Sequence, residues 1–102
     1  MAVEVRVSPQ AVEQVRAAQR WWAANREAAP SPLRDELAKG LQRLAELPEI
    51  GPPYPNDRVP GVRRLLLRKS QYHIYYVYDA RGPGLVVVLA IWSARRGREP
   101  RL

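Results

Sequence analysis

The chain predicts an α+β fold in the order β-α-α-β-β-β. Three observations predict it. The first residues alternate in polarity. Two stretches with helical spacing follow, each announced by Ser-Pro. After a proline-rich segment, three strand-like runs then succeed one another with short turns between them. Helical and strand patterns segregate along the chain, so the strands pair mainly with each other and the helices cover the resulting sheet.

VEVRV (3–7) alternates apolar and polar residues, the period of a half-exposed strand. Ser8-Pro9 places a side-chain oxygen and then a proline where a helix begins. The spacing predicts a helix from about Pro9 to about Glu27, with Ala11, Val15, Ala18 and Trp22 on one face beside Val12. Trp22 is assigned to the core, and Trp21, its neighbour on the helix, to an edge or a partner contact. Ser31-Pro32 repeats the start signal. Leu33, Leu37, Leu41 and Leu44 then share a face, and the helix stops before Pro48 because the residue preceding proline resists helical geometry. The short link AAP predicts an antiparallel helical hairpin. Gly40 costs about 1 kcal/mol relative to Ala inside a helix, so close helix–helix approach is its expected reason.

PEIGPPYPNDRVP (48–60) holds five prolines and reads as an ordered loop that cannot join a ladder. VRRLLLR (62–68), YHIYYVYD (72–79) and LVVVLAIW (85–92) read as an antiparallel meander, with ARGPG (80–84) turning the chain. The last run is apolar throughout, as in a central strand covered on both faces. Alternation sets His73, Tyr75 and Val77 on one face and Tyr72, Ile74, Tyr76 and Tyr78 on the other. The helices cover one face. Only the proline-rich loop and the C-terminal tail remain for the second, so part of it is expected to stay exposed or to be covered by another molecule.

At 102 residues the chain is expected to form one domain, 1–102. It has no cysteine, which excludes a disulfide framework, a Cys-ligated metal and a thiol nucleophile. No metal or cofactor motif stands out. The longest apolar run, 85–92, is too short to span a bilayer, and residues 1–10 lack the apolar stretch of a signal peptide. A cytoplasmic protein with no membrane partner is expected. The net charge of +7 arises wholly in the second half. Residues 1–60 carry eight basic and eight acidic side chains, whereas residues 61–102 carry nine basic ones against Asp79 and Glu99. A one-sided basic surface implies an acidic partner. Fifteen of the 17 basic residues are arginine, suited to bidentate contacts with phosphate or carboxylate.

Taken in order, these segments resemble the ParE/RelE superfamily of bacterial toxins from type II toxin–antitoxin systems. The resemblance covers nearly the whole chain. It is carried by SPQAVEQV, WWAANR, LAELPEIGPPYP, the Arg-rich then Tyr-rich pair GVRRLLLRKSQYHIYYVYD, and LVVVLAIWSARRG. RelE-like members are ribosome-dependent mRNA endonucleases. ParE-like members lack that activity and inhibit DNA gyrase. RNA cleavage without a metal needs a base for the 2′-hydroxyl, cations for the phosphate and an acid for the leaving oxygen. Against the RelE pattern Arg64 matches one basic position and Arg96 another. Leu66 falls where a lysine is expected and His73 where an arginine is expected. Ser93 replaces a histidine common in similar sequences, and the terminal tyrosine has no counterpart.

The resemblance therefore implies a ParE-like toxin that acts by binding DNA gyrase, with no confident catalytic residue and leaning away from enzymatic activity. The alternatives are a RelE-like nuclease working on ribosome-bound mRNA through Arg64, His73 and Arg96, or a non-toxic binding module. The implied neutralising partner is a cognate antitoxin with an acidic, amphipathic C-terminal segment. Trp21, Arg63, Arg64, Arg68, Trp92, Arg95, Arg96 and Arg98 are the expected partner-binding residues.

Overall fold

The computed structural model describes residues 2–25 and 31–102. The element order is β1 (Glu4–Val7), α1 (Pro9–Asn25), α2 (Leu33–Glu46), β2 (Val62–Leu67), β3 (Tyr72–Asp79) and β4 (Leu85–Ser93). This is the predicted β-α-α-β-β-β succession. The end of the predicted first helix and the AAP link lie outside the described residues. The four strands form one sheet in the order β1-β4-β3-β2, with β2-β3-β4 as the antiparallel meander. β1 runs parallel to β4, with Val5 opposite Val86 and Val7 opposite Val88. That places β4 inside the sheet, as its continuous apolarity requires.

Local chemistry explains the helix starts. Ser8 Oγ accepts the Ala11 N–H at 3.1 Å and donates to the Leu89 carbonyl at 3.2 Å, so one hydroxyl caps α1 and ties it to β4. Ser31 Oγ accepts the Leu33 N–H at 3.2 Å, although the cap position itself falls on Pro32. α2 is anchored at both ends. The Glu36 carboxylate accepts the N–H groups of Lys69 and Ser70 at 2.7 and 2.8 Å, pinning the β2–β3 turn. Near its other end, the Ala45 carbonyl accepts the Val3 N–H at 2.8 Å.

Gly40 corrects one expectation. A Cβ there would lie 3.0 Å from Ile74 Cδ1 and 3.0 Å from Leu67 Cδ2. The glycine lets α2 approach the sheet, not α1. Trp22 corrects another. It is half-buried, and the α1 residues packed into the core are Ala11, Val15 and Ala18. The helix-side core is completed by Leu33, Leu44, Leu65, Leu67, Ile74, Tyr76, Val86, Val88 and Ile91.

The second face of the sheet is more fully covered than expected. Val62, Tyr75 and Ala90 are buried there beneath Tyr54, Val59, Leu89, Trp92 and Leu102. The proline-rich loop and the C-terminal tail supply this second layer. The loop also does what its prolines seemed to forbid. Pro53 bridges Arg63 across the outer edge of β2, with Tyr54 N–H donating to the Val62 carbonyl at 2.8 Å and Arg64 N–H donating to the Pro52 carbonyl at 3.0 Å. A proline lacks a donor but keeps its acceptor. An edge needs only the right groups facing inward, and here Pro52 supplies the carbonyl and Tyr54 the N–H.

A bulge in β4 arranges the two layers. Tyr75 pairs with Ala90 but Tyr76 pairs with Val88, leaving Leu89 as the extra residue. Leu89 and Ala90 therefore both serve the second layer, while Ile91 returns to the helix side. Beyond β1 the open edge of β4 is met by α1: the Ile91 N–H donates to Gln14 Oε1 at 2.8 Å.

Candidate functional site

The second face carries the cations and aromatic rings singled out in the sequence. The strand pairing sets two rows across it. One runs Arg64, Tyr75, Ala90; the next runs Leu66, His73, Trp92. Arg64 projects from an edge strand into aromatic surroundings. Its guanidinium carbon lies 4.9 Å from the centre of the Tyr54 ring and 5.9 Å from that of Tyr75. The two tyrosines meet edge to face at 5.1 Å, and His73 meets Tyr75 the same way at 5.8 Å. A rigid aromatic bed thus orients Arg64 without neutralising it.

His73 is half-buried, and its pKa lies below the usual 6.5 because burial disfavours the charged ring and Arg64 adds like-charge repulsion. At neutral pH the imidazole is neutral, able to donate from one nitrogen and accept at the other. The Tyr54 hydroxyl is shifted the opposite way, pushed up to about 12 by burial and by the neighbouring Glu99 carboxylate. It stays protonated throughout the physiological range.

Trp92 organises the other end of the face. Arg96 stacks over its ring at 4.2 Å and Arg98 approaches at 5.8 Å, while the indole N–H donates to the Arg98 carbonyl at 2.9 Å. The fold therefore brings Arg64, His73, Trp92, Arg96 and Arg98 to one side of the sheet. Leu66, also on this side, is 41% exposed between them.

The other candidates lie elsewhere. Arg63 points away from this face and clamps the loop, donating to the carbonyls of Glu49 at 3.1 Å and Gly51 at 2.8 Å. Arg68 is exposed at the start of the β2–β3 turn, and Arg95 is exposed beyond β4. Trp21 is 54% exposed near the end of α1, edge to face with Trp22 at 6.2 Å. Sequence reasoning missed Tyr54. Its only signal was an aromatic residue among prolines, PPYP, in a loop with no obvious need of one.

Chemically the face suits an anion with apolar or aromatic parts. Arginines stacked on rings offer donors to phosphate or carboxylate, and the ring surfaces offer stacking area. Among the described residues no grouping of three or more His, Asp or Glu side chains could hold a metal ion. No helix among them is long and apolar enough to cross a membrane.

Fold and face together define a small basic α+β protein with an arginine–aromatic face on the sheet side opposite its helices. The chain belongs to the family described as the ParE toxin of the type II toxin–antitoxin system parDE, which matches residues 5–98. Solved structures share the fold. The chromosomal ParDE system of P. aeruginosa superposes with a TM-score of 0.68 at 16% identity, covering 92% of this chain and 98% of that one. The RelBE2 toxin–antitoxin complex of Mycobacterium tuberculosis gives 0.66 at 17% identity, covering 91% and 99%. The intact E. coli RelBE toxin–antitoxin complex gives 0.64 at 22% identity, covering 93% and 100%. No curated protein matches the sequence.

Proposed function

We propose that this chain is the toxin of a toxin–antitoxin pair, that it works in the cytoplasm, and that the arginine–aromatic face is the surface through which it acts and is neutralised. One observation carries this reading. Arg64, Arg96 and Arg98 are presented on aromatic rings, and among the described residues none of them forms an ion pair. Oriented, unneutralised arginines are a recognition surface for an anionic partner. The antitoxin would supply an acidic segment. Several similar structures are toxin–antitoxin complexes, which supports such a partner.

Two targets follow from the family, and different observations favour each. Inhibition of DNA gyrase draws its support from the match to the ParE family. Cleavage of ribosome-bound mRNA draws support from geometry: Arg64 and His73 stand in neighbouring rows of one sheet face, so a cation suited to phosphate and an imidazole share it. In that chemistry His73 would take or give a proton at the ribose or leaving oxygen. Arg64 and Arg96 would bear the charge of the pentavalent phosphate. The geometry speaks for this second target more directly than for gyrase.

Induced expression in a bacterial host, alone and with the neighbouring reading frame, tests toxicity and neutralisation together. Growth arrest relieved by the neighbour is expected. Growth without arrest would sink the toxin reading and leave a binding module. Purified protein added to translating ribosomes and, separately, to a supercoiling assay then decides the target. Cleavage lost in His73→Ala means the nuclease. Blocked supercoiling with intact mRNA means gyrase.

A further inference from the structure

A chain of short contacts leads from the helix side of the protein to Arg96. It starts at Glu36, in the first turn of α2. The Glu36 carboxylate holds two successive N–H groups of the β2–β3 turn, Lys69 at 2.7 Å and Ser70 at 2.8 Å. The next residue, Gln71, has φ of 59°, the only non-glycine in the left-handed region among the described residues. Its N–H donates to the Leu67 carbonyl at 2.8 Å, and its side-chain amide donates to the Arg68 carbonyl at 2.6 Å. Its own carbonyl accepts the Ala94 N–H at 2.8 Å.

Ala94 is the first residue past β4. The turn that follows is held more loosely from within: the Arg95 N–H donates to Ser93 Oγ at 3.2 Å and the Arg96 N–H to the Ser93 carbonyl at 3.3 Å. That turn brings the Arg96 guanidinium over the Trp92 ring at 4.2 Å. Of the three N–H bonds, that of Ala94 is the shortest, and it alone reaches outside residues 93–96. A stacked arginine gives up much side-chain freedom, so the backbone beneath it has to be fixed. A left-handed φ at a residue with a Cβ persists only where its surroundings impose it. At Gln71 the surroundings are the Glu36 grip before it and the Ala94 bond after it.

We infer that Glu36 and Gln71 are positioning residues for Arg96: the α2 carboxylate fixes the β2–β3 turn, the turn holds Gln71 left-handed, and the Gln71 carbonyl sets where the chain leaves β4, so that Arg96 lies over Trp92. Neither has to touch a partner. The inference rests on the reading that Arg96 is one of the acting cations, and is independent of which target the protein has. What Gln71 supplies is its backbone. Glycine adopts the left-handed region freely, and a β-branched residue resists it. Gln71→Gly and Gln71→Val both lose the amide bond to Arg68, so the difference between them isolates the backbone conformation.

Nuclear magnetic resonance on the isotope-labelled full chain reads both ends of the relay. The Arg96 side-chain protons report the Trp92 ring current, and hydrogen exchange reports the Ala94 N–H. Glu36→Ala and Gln71→Val should each speed Ala94 exchange by at least about tenfold, as a local opening does. They should also move the Arg96 protons most of the way to disordered-chain values. Gln71→Gly should leave both signals near the parent. Glu36→Gln, which keeps one acceptor oxygen, should move them in the same direction as Glu36→Ala by less, and it replaces that variant if Glu36→Ala does not fold. In growth-arrest titrations at equal expression, Glu36→Ala and Gln71→Val should each lose severalfold in potency and add nothing in an Arg96→Ala background. A residue that only stabilises the turn would lower the melting temperature, leave the Arg96 protons in place and add to Arg96→Ala. That result overturns the positioning role, as does a Gln71→Gly protein that behaves like Gln71→Val. If Arg96 leaves the ring and potency is unchanged, the positioning role stands and the reading of Arg96 as an acting cation fails. The resonance measurements need no toxicity, so the two failures are told apart.

Discussion

Arg64 is held at both ends by one loop. Its N–H donates to the Pro52 carbonyl at 3.0 Å, and its guanidinium lies 4.9 Å over the ring of Tyr54, two residues further on. The loop thus fixes the backbone and the charged tip together. The ring matters more than the hydroxyl for this. Tyr54→Phe should keep toxicity within about twofold, and Tyr54→Leu should reduce it severalfold, because a stacked cation is worth about 0.5–2 kcal/mol. Growth-arrest titration of the two variants at equal expression checks it. Equal loss in both would assign the role to the hydroxyl.

The same loop is bolted to the helix-side core. The Gly51 N–H donates to the Tyr76 hydroxyl at 2.9 Å, and a Cβ on Gly51 would fall 2.8 Å from that oxygen and 3.2 Å from the Arg64 backbone. Tyr76→Phe leaves a buried N–H without its acceptor and should cost about 1–3 kcal/mol. Gly51→Ala should cost at least as much, because backbone on one side of the clash cannot yield. Urea denaturation of both variants measures this. A Tyr76→Phe protein as stable as the parent would show that the hydrogen bond contributes nothing net.

His73 makes stability depend on pH in a predictable direction. Its folded pKa is below the unfolded value near 6.5, so between those two values the unfolded chain binds more protons. Stability therefore falls as pH drops from about 6.5 through the folded pKa, and this contribution is flat above 6.5. His73→Gln should flatten that part of the profile. Arg64→Leu should move the His73 titration back toward 6.5 by removing the like charge. A resonance titration of His73 that does not move in Arg64→Leu would refute the coupling.

Gly40 separates helix propensity from packing. Alanine gains about 1 kcal/mol of helix propensity. Its Cβ meets the tips of Ile74 and Leu67 at 3.0 Å, and side-chain tips can yield. Gly40→Ala should stay within about 1 kcal/mol of the parent, while Gly40→Val should lose about 2–3 kcal/mol as α2 lifts from the sheet. Thermal melts of both decide it. A harmless Gly40→Val would show that α2 does not pack this closely.

Arg95 and Arg96 are adjacent but differently placed. Arg96 stacks on Trp92, whereas Arg95 is exposed, its N–H directed to Ser93 Oγ at 3.2 Å. Replacing both by alanine should weaken antitoxin binding or toxicity and leave the fold intact. Arg96→Ala alone should account for most of the loss. Titrations at two salt concentrations would register it as a smaller salt dependence. If Arg95→Ala alone has the larger effect, stacking on Trp92 is not what orients the active cation.

Much of this architecture was legible in the residues because it depends on local periods. Alternation in VEVRV and YHIYYVYD, the leucine spacing of α2 and the Ser-Pro starts each act over a few residues, so the elements and the two sides of β3 could be read directly. The charge asymmetry and the segments resembling ParE and RelE also lie in the residues themselves. Long-range pairing decided the rest. LVVVLAIW is apolar at every position, so nothing in it marks Leu89 as a bulge or shows that Ala90 and Ile91 face opposite layers. Gly40 could be seen to need space, but not whether a helix or a sheet would fill it. Five prolines argued against pairing, yet an edge strand asks only that Pro52 accept and Tyr54 donate. The tail's fate was undetermined for the same reason: its docking rests on Gln10, Tyr54 and Trp92, brought together only when the sheet closes. Side-chain period is a local property; the choice of which covered surfaces meet is a property of the whole chain.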